Sequence, residues 1–210
     1  MTYEKEDIFR WFLNIGFRTR ETVREIVQGS PWLLSCLWAA LFGFCFYMVQ
    51  ADLQEFGDVA SIPLILGYGL IIGPLFGIFY CLICAVVFWG MGRLLGGIAD
   101  WREMMNAVSW STIPYYCKLL LLAFQFLLFR EELFTTLTPI MYESGLLMLS
   151  YMFFILLETI ATLWFYGVLT ISVAEIHAFA WWKAVVVVGI GVLMIASTLL
   201  FGFRILIFPV

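Results

Sequence analysis

The sequence has little charge, a single histidine and no substantial polar segment beyond its first thirty residues. Charged residues make up only 12% of the 210 residues, whereas hydrophobic residues make up 64%. Soluble domains contain about 25% charged and roughly 45–50% apolar residues. The shortage of charge therefore predicts an all-α, polytopic integral membrane protein. The net charge of −4 argues against a nucleic-acid partner.

Motifs that carry chemistry are also missing. The sequence contains no Walker loop, no H-E-x-x-H motif and no Ser/His/Asp set, so we expect neither an enzyme nor a cofactor. Cys81 and Cys84 form a C-x-x-C, but inside a hydrophobic run, where we interpret them as small apolar core residues. Since His177 is the only histidine and zinc needs several nearby ligands, no metal site is expected.

Five hydrophobic runs approach or exceed the roughly 20 residues that a membrane-crossing helix needs. They cover residues of about 31–50, 62–89, 111–129, 146–172 and 184–203. Residues 1–30 mix acids and bases without an apolar core, so no secretory signal peptide is expected. The sequence therefore predicts a cytoplasmic amphipathic segment at 1–30 and a five-span membrane domain at 31–210.

Two helices are expected outside the spans. Apolar residues repeat at helical spacing within 1–30, which fits a basic amphipathic helix on an anionic membrane surface or an ordinary amphipathic helix packed on the spans. Between the second and third spans, Asp100 and Glu103 have the spacing of a capping box. The residues that follow keep one apolar face, which predicts a short surface helix.

The distribution of lysine and arginine predicts the orientation. With the N-terminus inside, the outer face has only Arg130 and Arg204. The cytoplasmic segments then carry Lys5, Arg10, Arg18, Arg20, Arg24, Arg93, Arg102 and Lys183. We expect a multi-pass protein of the cell (inner) membrane with a cytoplasmic N-terminus, and five spans place the C-terminus outside.

Three glycines in the second run predict a helix-packing site. Gly69, Gly73 and Gly77 are spaced by four, so on a helix they form a stripe without side chains. In lipid such a stripe lets another helix approach closely. Pro74 lies within it and cannot donate to the carbonyl of Leu70, which predicts a kink.

Glu158 and Lys118 form a candidate polar site within the membrane. Glu158 lies near the middle of its run, where an ionisable group costs about 3 kcal/mol and should face protein or water. It is either a proton or cation site or a hydrogen-bonded contact between helices. Lys118 is its natural partner, but it lies near the cytoplasmic end of its predicted run, where it can snorkel. This difference in depth argues against a direct pair.

Three further polar residues are predicted at the inner loops: Arg93, Glu175 and His177. Residues two apart do not share a helical face, so a metal bound by Glu175 and His177 would need further ligands from elsewhere in the chain. We therefore interpret these residues as polar groups at headgroup level. Interface anchors are expected at Trp101, Trp110, Trp181 and Trp182.

Four stretches carry a family resemblance: GFRTRETVREIV at 16–27, GPLFGIFYCLICAVVFWGMGRLLGG at 73–97, WREMMNAVSWSTIP at 101–114 and WFYGVLTISVAEIHAFAWWKAVVVV at 164–188. In their order and spacing they resemble the Yip (Ypt-interacting protein) family of five-span membrane proteins, and its bacterial branch in particular. Phe17 departs from the pattern, since the family often has proline there. The resemblance implies the five-span fold but no catalytic residues. Eukaryotic relatives act in vesicle traffic with small prenylated GTPases, a role that we do not transfer to this chain.

Two functions remain open at this point. The first is a non-enzymatic membrane-organising or scaffold protein that acts through helix and lipid contacts, with other membrane proteins or a second copy as partners. The second is a small transporter or channel that uses Glu158 and Lys118 within the membrane.

Overall fold

The computed structural model describes residues 5–207, with the side chains of 5, 141, 143 and 196–207 excepted, and every regular element in this range is helical. The α-helices are α1 Lys5–Asn14, α2 Thr19–Gly29, α3 Trp32–Leu53, α4 Ile62–Leu94, α5 Trp101–Ser111, α6 Cys117–Phe129, α7 Pro139–Glu143, α8 Gly145–His177 and α9 Trp181–Ile207. Short 3₁₀ turns lie at Phe56–Asp58, Ile113–Tyr116 and Arg130–Phe134. The predicted all-α class is confirmed for this part of the chain.

Four helical stretches among the described residues are long and apolar enough to cross a membrane. They are α3, α4, the stretch Trp101–Phe134 and α8. The fifth predicted run falls on α9, whose described apolar part, Trp181–Ile195, is shorter than the roughly 20 residues that a bilayer needs. Several such stretches within the described residues make the chain a multi-pass membrane protein.

The chain divides into two compact units. Unit 1 contains Met1–Ser30, Cys81–Ser109 and Val168–Val210. Unit 2 contains Pro31–Tyr80 and Trp110–Gly167. Because the chain leaves and re-enters each unit, neither is a continuous stretch of sequence, and each is described separately below.

In unit 1, the N-terminal helices α1 and α2 bury one apolar face. Trp11, Ile15, Val23 and Ile26 are all at most 2% exposed. Trp11 also donates its indole N–H to Oε2 of Glu25 at 2.8 Å, which joins the two helices. This burial favours the interpretation of residues 1–30 as amphipathic helices packed on protein.

In unit 2, a hydrophobic core forms where α3, α4 and α6 meet the 3₁₀ turn Arg130–Phe134. Its buried members are Met48, Ala51, Ile65, Leu122, Phe129, Leu133 and Phe134. Met48 and Ala51 lie about one helical turn apart on α3, and Leu122 and Phe129 lie two turns apart on α6, which in both cases is the spacing of one helix face. Burial of these large side chains outside lipid contact fixes the helices of unit 2 against one another.

The helix predicted between the second and third runs exists as α5, but it is not a surface helix. Glu103 accepts a 2.9 Å hydrogen bond from the backbone N–H of Asp100, as in the predicted capping box. Yet every residue from Met104 to Ser111 is buried. The apolar stretch begins at Trp101, ten residues before the predicted entry at 111, because the 3₁₀ turn Ile113–Tyr116 joins α5 to α6 without a polar break.

Candidate functional site

Lys118 and Glu158 lie side by side in unit 2. The ammonium Nζ of Lys118 is 3.8 Å from Oε2 of Glu158, and the two side chains are 10% and 15% exposed. The predicted difference in depth between Lys118 and Glu158 was wrong. Because the apolar stretch starts at Trp101, Lys118 lies near the middle of Trp101–Phe134 rather than near its end, at a depth comparable with that of Glu158 on α8.

Gln125 is the third member of this polar cluster. Its amide Nε2 donates to Oε1 of Glu158 at 2.5 Å, and the residue is 1% exposed. Lys118 Nζ also lies 5.0 Å above the ring of Tyr115, which is a cation–π contact. Each carboxylate oxygen of Glu158 thus faces one donor from α6.

Gln125 was not predicted from the sequence, because a neutral amide marks a polar site within an apolar run less clearly than a charge does. A signal was present, since Lys118 and Gln125 are seven residues apart on α6 and therefore share a helical face. The cluster gives the Glu158 carboxylate two partners, and it joins α6 to α8 through polar contacts. This geometry is that of a hydrogen-bonded contact between helices.

An acidic cleft also lies in unit 2, with a volume of about 280 Å³. Its lining includes Asp52, Glu55, Glu132, Tyr142 and Tyr151. Backbone or hydroxyl donors already hold two of the carboxylates: Glu132 accepts from the N–H of Ile140 at 2.7 Å, and Glu55 from the hydroxyl of Thr136 at 2.7 Å. Asp52 interacts electrostatically with both Glu158 and Lys118, so the cleft and the polar cluster share one charged neighbour. Among the described residues, no three His, Cys, Asp or Glu side chains are placed so that they could hold a metal ion together.

The predicted glycines take part in a close helix contact within unit 2. A Cβ placed on Gly43 of α3 would overlap the carbonyl oxygen of Gly73 and the backbone of Gly77 on α4. Gly69 faces the side chains of Tyr47 and Met48 instead. The two backbones therefore touch where Gly73 and Gly77 lie, as the four-residue spacing predicted.

The partner glycine in this contact, Gly43, was not predicted from the sequence. Gly43 lies four residues after Ala39, whose carbonyl oxygen in turn would overlap a Cβ on Gly77. A small-xxx-small pattern was therefore visible in the first run as well. It attracted no attention because α3 has only one glycine within its apolar run.

Glu175 and His177 were predicted to lie on a loop, but the structure places both on a helix. Helix α8 continues to His177, so both residues belong to its last turn. Glu175 forms an ion pair with Arg24 of α2, whereas His177 is 1% exposed. The apolar residues around this turn let the helix continue, and only residues 178–180 separate it from α9.

His177 fills a slot that two glycines create in unit 1. A Cβ on Gly92 or on Gly97 would overlap its imidazole ring. The ring stacks on Phe179 with a centroid distance of 5.0 Å and an interplanar angle of 3°. Its Nε2 lies 3.2 Å from the carbonyl oxygen of Phe88. The glycines that end α4 thus make room for a buried side chain, a role that their spacing alone did not indicate.

Arg93, the third predicted inner-loop residue, holds the loop that joins α4 to α5. Its Nε donates to the carbonyl oxygen of Ala99 at 3.1 Å, and its guanidinium lies 6.0 Å from the ring centre of Trp89. Lys183 of α9 donates from Nζ to the carbonyl oxygen of Leu95 at 3.0 Å. Two cations from different helices therefore meet at one loop.

The cysteines of the C-x-x-C agree with the interpretation as core residues. Cys81 is fully buried and Cys84 is 3% exposed. Both lie inside α4 rather than at a helix terminus, so neither has the exposed, electropositive surroundings of a reactive thiol.

Comparison with models of protein families gives a match over most of the chain. The family model described as Yip1 domain matches residues 14–203, which is most of the chain. No curated protein and no solved structure matches the chain.

Proposed function

Because the chain belongs to the Yip1 domain family, we propose that it is a non-enzymatic membrane-organising or scaffold protein that acts through helix and lipid contacts. The observation that carries this proposal is the exposure of α8. Only 6% of its apolar 18-residue stretch is buried, against 44% for Trp101–Phe134. Apart from the side that packs on the unit 2 core and on α6, this helix is open to lipid or to the helix of a partner, either another membrane protein or a second copy.

The polar cluster supports the same function. Lys118 and Gln125 both contact Glu158, so the charges within the membrane have protein partners and need no water-filled path. Their contacts join α6 to α8 and fix the face that α8 presents elsewhere. We infer that the cluster positions α8 as a contact surface.

The proposal includes five spans and one orientation. Helix α9 has 27 residues, which at about 1.5 Å per residue is roughly 40 Å, longer than the hydrocarbon core of a bilayer. The bias of lysine and arginine supports a cytoplasmic N-terminus and an outer C-terminus in the cell (inner) membrane. A reporter fused to each end tests both points, since five spans require the two ends in different compartments.

Photo-crosslinking tests the contact surface. A photoreactive phenylalanine analogue replaces Phe153, which is 56% exposed on α8, and in a matched control it replaces Phe165, which is 6% exposed on the same helix. In native membranes, we expect the analogue at 153, but not at 165, to form a discrete product with a membrane protein or a second copy. Products with lipid alone from position 153 would contradict a protein partner at α8.

Transport of a proton or small cation is the second candidate, and one observation favours it. Asp52 lines the acidic cleft and interacts electrostatically with Glu158 and Lys118, which links an open cavity to the buried charges. Purified protein in liposomes should then pass protons or cations, and Glu158→Gln should abolish the flux while Glu131→Gln, at an exposed position, leaves it unchanged. Absence of flux in the unmodified protein would reject this candidate.

A further inference from the structure

The loop of residues 95–99 in unit 1 is held by two cations. Arg93 and Lys183 each donate one hydrogen bond to a backbone carbonyl of this loop. A guanidinium has five donors and an ammonium three, so both groups keep donors that can face an anion. Arg93 comes from α4 and Lys183 from α9, and both bind this one loop, at Ala99 and at Leu95.

The surface around this loop is apolar and exposed. Leu94 is 87% exposed, Ile98 71%, Trp181 67% and Trp182 55%. Cations next to exposed aliphatic and aromatic side chains at the ends of apolar helices are typical of the headgroup level of a bilayer. Gly96 adds open space, because a Cβ on it would meet no atom within 4 Å.

Acids also lie near the loop. Glu175 pairs with Arg24, whereas Asp100 and Glu103 follow the loop, and Glu103 accepts the backbone N–H of Asp100. Three bases, Arg93, Arg102 and Lys183, outnumber these two carboxylates. By contrast, the loop that precedes α4 carries Glu55 and Asp58 and no basic residue. Charge therefore favours an anionic ligand at the loop that follows α4, and not at the one that precedes it.

We propose that Arg93, Lys183 and the loop of residues 95–99 bind the phosphate of an anionic phospholipid, whose acyl chains lie against Leu94, Ile98 and Trp182. The spare N–H groups of the two cations hold the phosphate, and the open space at Gly96 lets it approach the backbone. This inference deepens the proposed function, since it names a lipid class for one of its lipid contacts. The lipid site and the proposed function can be tested independently, because crosslinking from Phe153 does not depend on lipid binding at this loop.

Native mass spectrometry of the full-length protein in detergent tests the site with two probes, dioleoyl phosphatidylglycerol and dioleoyl phosphatidylcholine. We expect tighter binding of phosphatidylglycerol. The double variant R93Q/K183Q should weaken it about 30-fold, the loss estimated for two cations near an anionic surface, and leave phosphatidylcholine unchanged. The double variant R93K/K183R should retain binding within about threefold, since it keeps both charges. The charge-matched control R18Q/R20Q should change binding less than about threefold.

A second pair of variants keeps the test valid if R93Q/K183Q does not fold. Gly96 has φ +85°, a conformation that Asn and Asp tolerate better than other side chains. Gly96→Asp should weaken phosphatidylglycerol binding by repulsion, whereas Gly96→Asn, of nearly the same shape, should weaken it less. Equal affinity for the two lipids, equal losses in both glutamine double variants, or equal effects of Asp and Asn would overturn the proposal. Competition by millimolar glycerol 3-phosphate would instead assign the site to a soluble phosphate and would also overturn it.

Discussion

The ammonium of Lys118 lies 3.8 Å from Oε2 of Glu158, and both side chains are nearly buried. Each group alone would be costly within a membrane. Together, and with Gln125 on the other carboxylate oxygen, they compensate each other's charge. Removal of one partner should therefore cost more than the pair itself contributes, because it leaves the other charge without compensation.

Lys118→Ala should lower the free energy of unfolding by about 3 kcal/mol, since it leaves the Glu158 carboxylate with only Gln125. Glu158→Gln in the same chain should restore part of this loss, because it removes the uncompensated charge. The measurement is a double-mutant cycle of unfolding in mixed micelles. We expect a coupling energy of at least about 1 kcal/mol. Additive effects of the two substitutions would show that the residues do not interact.

Gln125→Leu should destabilise the protein by about 2 kcal/mol, because a hydrogen bond to a charged group is lost where water cannot replace it. The matched control is Gln54→Leu. Gln54 is exposed and bonds only to Gln50 through its side chain, so its replacement should change stability by about 0.5 kcal/mol or less. Thermal unfolding in the same detergent compares the two. Similar shifts in both variants would mean that the bond from Gln125 to Glu158 contributes little.

The sequence predicted those features that depend on local composition. Long apolar runs mark α3, α4 and α8, and the four-residue spacing of Gly73 and Gly77 marks a helix contact. The predicted depth of Lys118 within the membrane was wrong for a physical reason. The capping-box spacing of Asp100 and Glu103, followed by one apolar face, predicted a surface helix, whereas the residues from Met104 onward are buried and the apolar stretch begins at Trp101.

Contacts between distant segments were beyond sequence reasoning. Gly92 and His177 are far apart in the chain, and nothing in either segment indicates that the glycine accommodates the imidazole ring. Arg24 and Glu175 likewise pair across most of the sequence. Such contacts depend on how the helices of unit 1 pack, which hydrophobic periodicity does not specify when a helix is apolar on all sides.

Gly43→Ala should destabilise unit 2 by about 2 kcal/mol, because the added methyl group meets the backbone of Gly73 and Gly77, which cannot rotate away as a side chain can. Gly67→Ala on α4 is the matched control, since a Cβ there meets no atom within 4 Å. This control should be neutral or stabilising by up to about 1 kcal/mol, because alanine favours helix. Unfolding in mixed micelles measures both variants. A neutral Gly43→Ala would contradict direct backbone contact between α3 and α4.

Gly92→Ala should destabilise unit 1 by about 2 kcal/mol, since its methyl group overlaps the imidazole of His177. The distinguishing variant is the double substitution Gly92→Ala/His177→Ala. Removal of the ring leaves room for the methyl group, so the added cost of Gly92→Ala should fall well below its cost in the unmodified chain. Gly90→Ala on the same helix serves as control, because a Cβ at Gly90 meets no atom within 4 Å.

Thermal unfolding of the unmodified protein, of Gly92→Ala, of His177→Ala and of the double variant gives the coupling energy between positions 92 and 177. If the ring is what requires the glycine, the double variant should be more stable than the sum of the two single effects predicts, by about 1 kcal/mol or more. If Gly92 is needed only to end α4, replacement of His177 should not change the cost of Gly92→Ala. That result would show that Gly92 is required for the backbone conformation and would contradict the proposed contact with the His177 ring.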